Sequence, residues 1–459
     1  MAESKSRYLL LSAALSVLLL LMAVTAEGAG KRQKNETDRS SDGIKHLDLT
    51  RDGCVWVELG GRQRLRFEVW DDFAFGDGGT AQTSDSFLLS RTLAHADLHL
   101  GPRARIYVEG KSALSSDRDL PGGERALDVD DLDLQQAYAQ VSSAPGGAAS
   151  PIVKLRVGRQ ELTFGAQRLI SPLDWSNTRR TFEGMSVIAE VTNCKLIGFW
   201  SRFVPVRPHD FNRAVNETEL WGLYGTGEAL FADTFDLYWL GTSRDSAAFN
   251  GTFGREERHT LGTRMKGDID ASNFDYEMEG AYQFGELGDS EVNAGMWTAE
   301  LGYRFKEVTM TPRPYVGFDY ASGDDSRGGR VGTFNQLFPL GHAYLGYIDA
   351  VGRQNVLDYR IGCSIEPASR TTAAVDLHVF RRVDRDDALY NAGGAVIRAG
   401  SGVSEKDIGA ELDLTLKHRF SEHTNLLVGY SHFFAGQFIE DSGPAHDIDF
   451  AYTAIEYSF

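Results

Sequence analysis

Cysteine and proline are both scarce in this sequence. Among its 459 residues there are 3 cysteines and 12 prolines. Cys54, Cys194 and Cys363 lie far apart, without the paired spacing of a zinc site or the density of a disulfide framework, so we interpret them as small apolar side chains. A mean hydropathy of −0.29 excludes a polytopic helical membrane protein.

Positively charged residues are also fewer than negatively charged ones. Lys and Arg number 47 against 65 Asp and Glu, for a formal net charge of −18. This excludes a general nucleic-acid-binding surface, so any anion site must be local. What the chain has in quantity is 49 Gly, 26 Phe, 17 Tyr and 7 Trp, a composition that indicates many aromatic strands joined by turns.

The N-terminus has the three parts of a secretory signal. Lys5 and Arg7 precede an uncharged run that extends to Ala26, where Val24-Thr25-Ala26 forms a small-residue cleavage site. We therefore expect residues 1–26 to be a cleaved signal peptide. The alternative is a signal anchor, because the run approaches the roughly 20 residues of a membrane span.

From residue 55 to the C-terminus the pattern has a period of two. One face of each segment is apolar and the other densely charged, which predicts about eighteen strands of roughly ten residues. A soluble sandwich would also alternate, but the charged face, the aromatic strand ends, the signal peptide and the terminal Phe459 together favour an outer-membrane barrel. We predict an all-β fold, a transmembrane antiparallel β-barrel over residues 51–459, with a periplasmic leader over residues 27–50.

Two stretches resemble the alginate-export family. The first reads VGRQELTFGAQRLISP from Val157 to Pro172 and continues to Gly184, and the second reads FDYASGD from Phe318 to Asp324 and continues to Asn355. The resemblance extends over nearly the whole chain after the leader. It implies an eighteen-stranded outer-membrane barrel whose Arg-rich lumen passes a polyuronate.

Arginine recurs on the charged face of the predicted strands. Its planar guanidinium binds a carboxylate through two hydrogen bonds, so a ladder of arginines suits a chain of uronates passing in sequence. The alternative is that these side chains pair with carboxylates across the barrel. The candidates for pore lining are Arg62, Arg64, Arg66, Arg91, Arg103, Arg105, Arg156, Arg304 and Arg360.

Four further arginines belong to the first family-like stretch. Arg159 has the parity of the apolar face, which is compatible with a pore role only if the strand ends or bulges near Gly158. Arg168, Arg179 and Arg180 become constriction residues if the following segment folds inward. A solvated surface or periplasmic loop is the alternative.

These features predict an outer-membrane channel that exports an anionic polysaccharide such as alginate. The alternative is a general or nutrient-uptake porin for small anionic solutes or oligosaccharides. A barrel enzyme is a third class, but no catalytic signature occurs, so we predict no enzyme activity, no catalytic residues, no metal and no cofactor. The expected partners are the transported solute, outer-membrane lipid and lipopolysaccharide, and the barrel-assembly machinery, for which Tyr457 and Phe459 resemble the C-terminal signal.

Overall fold

The structure, a computed structural model, describes residues 46–144, 151–229, 232–269, 272–325, 329–400 and 402–459. The predicted signal peptide and most of the predicted leader lie outside these residues. Among the described residues, no helix is both long and apolar enough to cross a membrane.

Eighteen antiparallel strands form a closed barrel, as predicted. Each strand pairs with its neighbours in chain order, and the last pairs with the first from Arg62 opposite Ser458 to Asp71 opposite Asp449. The strands are β1 Val55–Asp71, β2 Asp85–Leu100, β3 Ala104–Ser115, β4 Asp130–Ser142, β5 Ile152–Gln160, β6 Thr181–Val191, β7 Cys194–Val204, β8 Thr218–Ala229, β9 Ala232–Phe249, β10 Thr252–Asp268, β11 Phe274–Leu287, β12 Ser290–Tyr303, β13 Arg313–Ala321, β14 Val356–Ala368, β15 Thr371–Arg382, β16 Asp407–Arg419, β17 Thr424–Ala435 and β18 Ile448–Ser458.

The period-two pattern sorts residues between the lipid face and the lumen. Val316, Ile361 and Leu414 are among the apolar side chains that remain exposed on the outer wall, at 55%, 58% and 43%. Charged side chains of the opposite parity are buried inside, as at Arg91 in β2 and Glu411 in β16. A barrel in lipid needs this arrangement, because its backbone groups are satisfied between strands and only apolar side chains face the acyl chains.

The two ends of the barrel differ in the length of their connections. One end has short turns, including residues 101–103, 192–193, 369–370 and 420–423. At the other end most connections are longer and include residues 116–129, 161–180, 205–217, 322–355, 383–406 and 436–447, whereas residues 250–251 and 288–289 form short turns. Long loops mark the extracellular end of such barrels. The last of these connections, which contains a short helix α1 Gln437–Ser442, was not foreseen from the sequence.

The structure has further short strands besides those of the barrel wall. His46–Asp48 pairs with the start of β1, and Arg330–Val331 pairs in parallel with β12. Leu389–Tyr390 and Val396–Arg398 pair with each other inside the connection between β15 and β16.

Aromatic residues on the lumen side form an apolar core. The alternation of the sequence alone did not predict this core. Phe450 and Tyr452 of β18 are buried at 1% and 3% exposure, and Phe450 stacks on Trp70 of β1. Trp175 and Tyr347, from connections that enter the barrel, contact Tyr452. An apolar residue here therefore does not imply contact with lipid.

Candidate channel site in the barrel lumen

Two long connections enter the barrel and pair with each other. We call residues 161–180 the first inward loop and the described residues of 322–355 the second inward loop. Ile170 of the first forms a parallel bridge with Phe338 of the second. The Ser171 amide donates to the Phe338 carbonyl at 2.9 Å, and the Phe338 amide donates to the Leu169 carbonyl at 2.8 Å. The two stretches that resemble the alginate-export family therefore meet inside the lumen.

Two arginines of the barrel wall hold the backbone of the first inward loop. Arg64 of β1 donates to the Asp174 carbonyl at 2.7 Å and to the Ser176 carbonyl at 2.8 Å. Arg91 of β2 donates to the same two carbonyls at 2.9 and 3.1 Å and to the Asp174 carboxylate at 3.0 Å. Both guanidinium groups are buried, so they anchor the loop.

Two more side chains, on β1 and β3, complete this attachment. Arg66 donates to the Trp175 carbonyl at 2.5 Å, and its guanidinium lies 4.1 Å from the centre of the Trp175 ring. Lys111 donates to the Thr178 carbonyl at 2.7 Å and pairs with Asp130 at 2.8 Å. The basic sector of the wall thus faces loop carbonyls, which carry partial negative charge.

The opposite sector of the wall is acidic and holds cations and amides of the loops. Arg168 of the first inward loop pairs with Glu277 at 2.7 Å and Glu279 at 2.9 Å, both in β11. Arg353 of the second inward loop donates to both oxygens of Asp319 in β13, at 3.0 and 2.7 Å.

Farther round this sector, the Ile348 amide of the second inward loop donates to Glu411 in β16 at 2.8 Å. The loops therefore bridge a basic wall and an acidic wall.

Trp175 lies where both loops and the wall meet. Its ring stacks on His342 of the second inward loop, with ring centres 3.6 Å apart, and contacts the edge of Tyr452 in β18 at 5.0 Å. His342 also faces Asp349 at 3.3 Å. These contacts make His342 a packing residue between the two inward loops.

Arg179 and Arg180 lie at the end of the first inward loop. Arg179 donates to both oxygens of Glu161 at 2.7 and 2.6 Å. Burial alone raises the pKa of the Glu161 carboxyl, but the Arg179 charge outweighs it and holds the pKa below its ordinary value.

Arg180 donates to the Ser171 carbonyl at 3.2 Å and to the Pro339 carbonyl at 3.4 Å, and so joins the two inward loops. Burial, together with the nearby charge of Arg244, lowers its pKa to about 9.

Arg159 keeps the outward parity of β5 and is nevertheless buried. Gly158 beside it has a φ of +133°, and a Cβ there would lie 2.3 Å from the Ala137 carbonyl oxygen. Arg159 pairs with Asp133 at 2.8 Å and Glu183 at 2.7 Å and donates to the Asn212 carbonyl at 2.8 Å. It ties β4 and β6 to the connection between β7 and β8.

A row of polar side chains crosses β3 to β5 below the inward loops, towards the periplasmic end. The strand register places Arg105, Gln140 and Arg156 directly opposite one another. Tyr107 and Tyr138 form the next row towards the loops, stacked at 5.2 Å. The Arg156 guanidinium lies 4.3 Å from the Tyr138 ring centre and donates to Gln140 at 3.0 Å. We call these five residues the Arg–Tyr track.

The charges of the track differ in how far they are neutralised. Arg105 donates to the Tyr138 hydroxyl and faces Asp97 at 3.3 Å. Within the described ranges, neither Arg156 nor Arg62 of β1 lies in an ion pair. No carboxylate of the described residues therefore neutralises these two guanidinium groups. Sequence parity predicted the arginines, whereas the sequence did not single out the two tyrosines.

Two of the remaining candidates lie at the periplasmic end. Arg103 is exposed in the turn between β2 and β3, and Arg304 follows the end of β12. Arg360 of β14 pairs with Glu300 of β12.

Arg360 also borders a cavity of about 210 Å³ beneath the second inward loop, which His378 and Lys417 help to line. The sequence did not single out these two side chains.

The sequence matches a known family over most of its length. The model of the Alginate export family matches residues 55–451. No curated protein matches the sequence.

Solved bacterial proteins share the fold at low identity. OccD3 (OpdP) of Pseudomonas aeruginosa aligns with a TM-score of 0.59 at 10% identity, covering 91% of this chain and 93% of that one. OccAB1 of Acinetobacter baumannii gives a TM-score of 0.59 at 12% identity, with 91% and 98% covered. OccK11 (OpdR) of P. aeruginosa gives 0.56 at 13%, with 88% and 96% covered. This chain thus shares a closed β-barrel fold with these proteins, and that fold together with the family match places it in the outer membrane.

Proposed function

Because this chain belongs to the Alginate export family, we propose that its barrel is a channel through which an anionic polysaccharide leaves the cell. The observation that carries the proposal is the Arg–Tyr track. It offers cations and aromatic rings side by side on the lumen face of β3, β4 and β5.

The chemistry of the track fits a polyuronate. A guanidinium binds a sugar carboxylate through two parallel hydrogen bonds, and a tyrosine ring offers an apolar face and a hydroxyl to the sugar ring. Several adjacent and individually weak contacts allow a polymer to enter and also to leave. Arg62, Arg105 and Arg156 are the arginines that we assign to this path, with Tyr107 and Tyr138 beside them.

The other lumen arginines have a different proposed role. Arg64, Arg66, Arg91, Arg168, Arg179 and Arg180 hold the inward loops, and so they set the shape of the passage. Their charge is directed towards loop carbonyls and wall carboxylates. They act on transport through the position of the loops.

Single-channel recording with two polymers tests the proposal. We expect a polyuronate oligomer to produce transient current blocks that are more frequent than those from a neutral dextran of equal length. The triple variant Arg62→Gln/Arg105→Gln/Arg156→Gln should lower the block frequency about tenfold, the equivalent of about 1.4 kcal/mol.

A control variant loses the same charge from exposed positions outside the track. It carries Arg213→Gln, Arg255→Gln and Arg381→Gln, and it should behave as wild type. Equal blocking by dextran and polyuronate would refute polymer recognition and favour a general porin. Adding the polyuronate separately to the periplasmic and the extracellular side distinguishes export from uptake.

The last strand, β18, closes the barrel against β1. We propose that the C-terminal strand, with Tyr457 and Phe459, is the segment bound by the barrel-assembly machinery. Phe459 exchanges backbone hydrogen bonds with Gly61 of β1 at 3.1 Å, at the seam where the barrel closes. Acidic extracellular loops would face lipopolysaccharide bridged by divalent cations.

A further inference from the structure

A cluster of two carboxylates and one imidazole lies on the lumen face near the periplasmic end. Glu58 of β1 and Asp97 and His99 of β2 each offer one ligand atom, and these atoms all lie within 4.8 Å of one another. From these residues we propose a binding site for one divalent transition-metal ion, such as Zn²⁺. The proposal does not depend on the transported solute.

The strand register explains why these side chains converge. Glu58 and Asp97 lie directly opposite each other, and Trp56 lies opposite His99 one step along the same face. Like charges directly opposite on paired strands destabilise a sheet. A cation between the two carboxylates removes that repulsion, which gives the pair a physical reason to bind one.

Asp97 has an oxygen available for such an ion. Its side chain is buried, with the residue 6% exposed. Its Oδ2 atom faces the Arg105 guanidinium at 3.3 Å and the His99 ring at 3.4 Å. Its Oδ1 atom is buried and finds no hydrogen-bond partner within the described part of the chain. A metal ion can therefore bind Oδ1 while Oδ2 keeps its contact with Arg105.

The imidazole is held in place by stacking. The His99 ring lies flat on Trp56, with ring centres 3.6 Å apart and an angle of 8° between the planes. Glu58 is exposed and free to adjust its rotamer. The three side chains therefore offer one nitrogen and one oxygen in fixed positions and one carboxylate oxygen that can move. Water can fill the remaining coordination positions of the ion.

The donor types select the class of metal. Mg²⁺ and Ca²⁺ prefer sites made of oxygen ligands only, whereas imidazole suits Zn²⁺ and its neighbours in the first transition series. One histidine and two carboxylates therefore favour Zn²⁺ or Co²⁺ over the alkaline-earth ions. The sequence alone did not predict this site, because Glu58 and His99 lie far apart in the sequence. Only the pairing of β1 with β2 brings them together.

Titration of the folded full-length barrel with Co²⁺ and Zn²⁺ tests the site. Calorimetry should show one saturable Zn²⁺ equivalent, and Co²⁺ should give ligand-field absorption bands that Zn²⁺ displaces. His99→Ala and Glu58→Gln should each weaken this equivalent at least tenfold. His95→Ala is the matched control, since His95 lies on the same strand and face but outside the cluster, and it should bind as wild type.

Other acidic and histidine residues of this chain can bind metal weakly, so the stoichiometry is decisive. The proposal holds if His99→Ala removes one equivalent from a barrel that still migrates as a folded species on gels. It is overturned if wild type binds no saturable equivalent. It is equally overturned if His99→Ala and Glu58→Gln bind as tightly as His95→Ala.

Discussion

Arg64 and Arg91 hold the first inward loop through the same two carbonyl groups, and this shared attachment makes a quantitative prediction. In Arg91→Met, the Asp174 and Ser176 carbonyls keep their hydrogen bonds from Arg64 at 2.7 and 2.8 Å. The loss is then close to that of one hydrogen bond to a charged group, about 2 kcal/mol. Arg64→Met should cost a similar amount for the same reason.

The double variant Arg64→Met/Arg91→Met should cost more than the sum of the two. Both carbonyls then lose every donor that the wall provides and stay buried, at about 1–3 kcal/mol each. With about 1 kcal/mol for each carbonyl, the lower end of that range, the total is about 6 kcal/mol against an additive value of about 4 kcal/mol. Two residues that share partners are where such non-additivity is expected.

Hydrogen exchange of the loop measures these costs as local opening. The Asn177 amide donates to the Leu127 carbonyl at 2.9 Å, and the Arg180 amide donates to the Pro172 carbonyl at 2.7 Å. Each single variant should speed exchange at these amides about 30-fold, at about 1.4 kcal/mol per tenfold change. Arg156→Met, which removes a lumen arginine that contacts Gln140, serves as the control. Unchanged protection in the double variant would refute the anchoring role.

Three further predictions concern the lipid face, the backbone and an extracellular loop. Leu414→Arg should cost about 2–4 kcal/mol near the bilayer midplane and lower the folding yield measured by heat-modifiable gel migration. Gly158→Ala should destabilise the barrel in denaturant titrations, because the φ of +133° and the contact at 2.3 Å both oppose a Cβ, whereas Gly225→Ala, with 3.6 Å to its nearest neighbour, should not. The hydrogen bond to Asp131 raises the pKa of His209 above its ordinary value, so the contact stabilises the loop below about pH 6.5 and is lost as pH rises through the raised pKa.

The controls for these predictions lie beside the changed residues. Thr415→Arg introduces the same charge on the lumen side and should fold normally, so equal yields for Leu414→Arg and Thr415→Arg would contradict the assignment of faces. Protection of the Asp131 amide, which donates to the Pro208 carbonyl at 2.9 Å, should be greater at pH 5 than at pH 8 after correction for intrinsic exchange. His209→Gln should remove that difference, and its persistence would locate the titration elsewhere.

The barrel was predictable from the sequence because its main determinant is local. Alternation between lipid and lumen recurs in every strand, so the parity of Leu414 or of Arg105 follows from a few neighbouring residues. The two stretches that resemble the alginate-export family also indicated which connections differ from simple turns between wall strands.

The partners of the lumen side chains were not predictable in this way. Arg91 and Asp174 are separated by 83 positions in the sequence, and their contact depends on the path of a loop. Parity shows that Arg64 faces inward, but it does not distinguish a side chain that holds a loop from one that faces the passage. The same limit applies to Phe450, whose apolar side chain faces the lumen and stacks there on Trp70.

The central claim is an anion path along Arg62, Arg105 and Arg156. Measurement of the reversal potential tests this claim most directly. Under a salt gradient near 0.01 M, where charges act over about 30 Å, the wild-type channel should prefer anions. The triple Gln variant should lose that preference, and the variant with Arg213, Arg255 and Arg381 changed to Gln should keep it. Unchanged selectivity in a well-folded triple Gln variant would contradict the account and remove these arginines from the transport path.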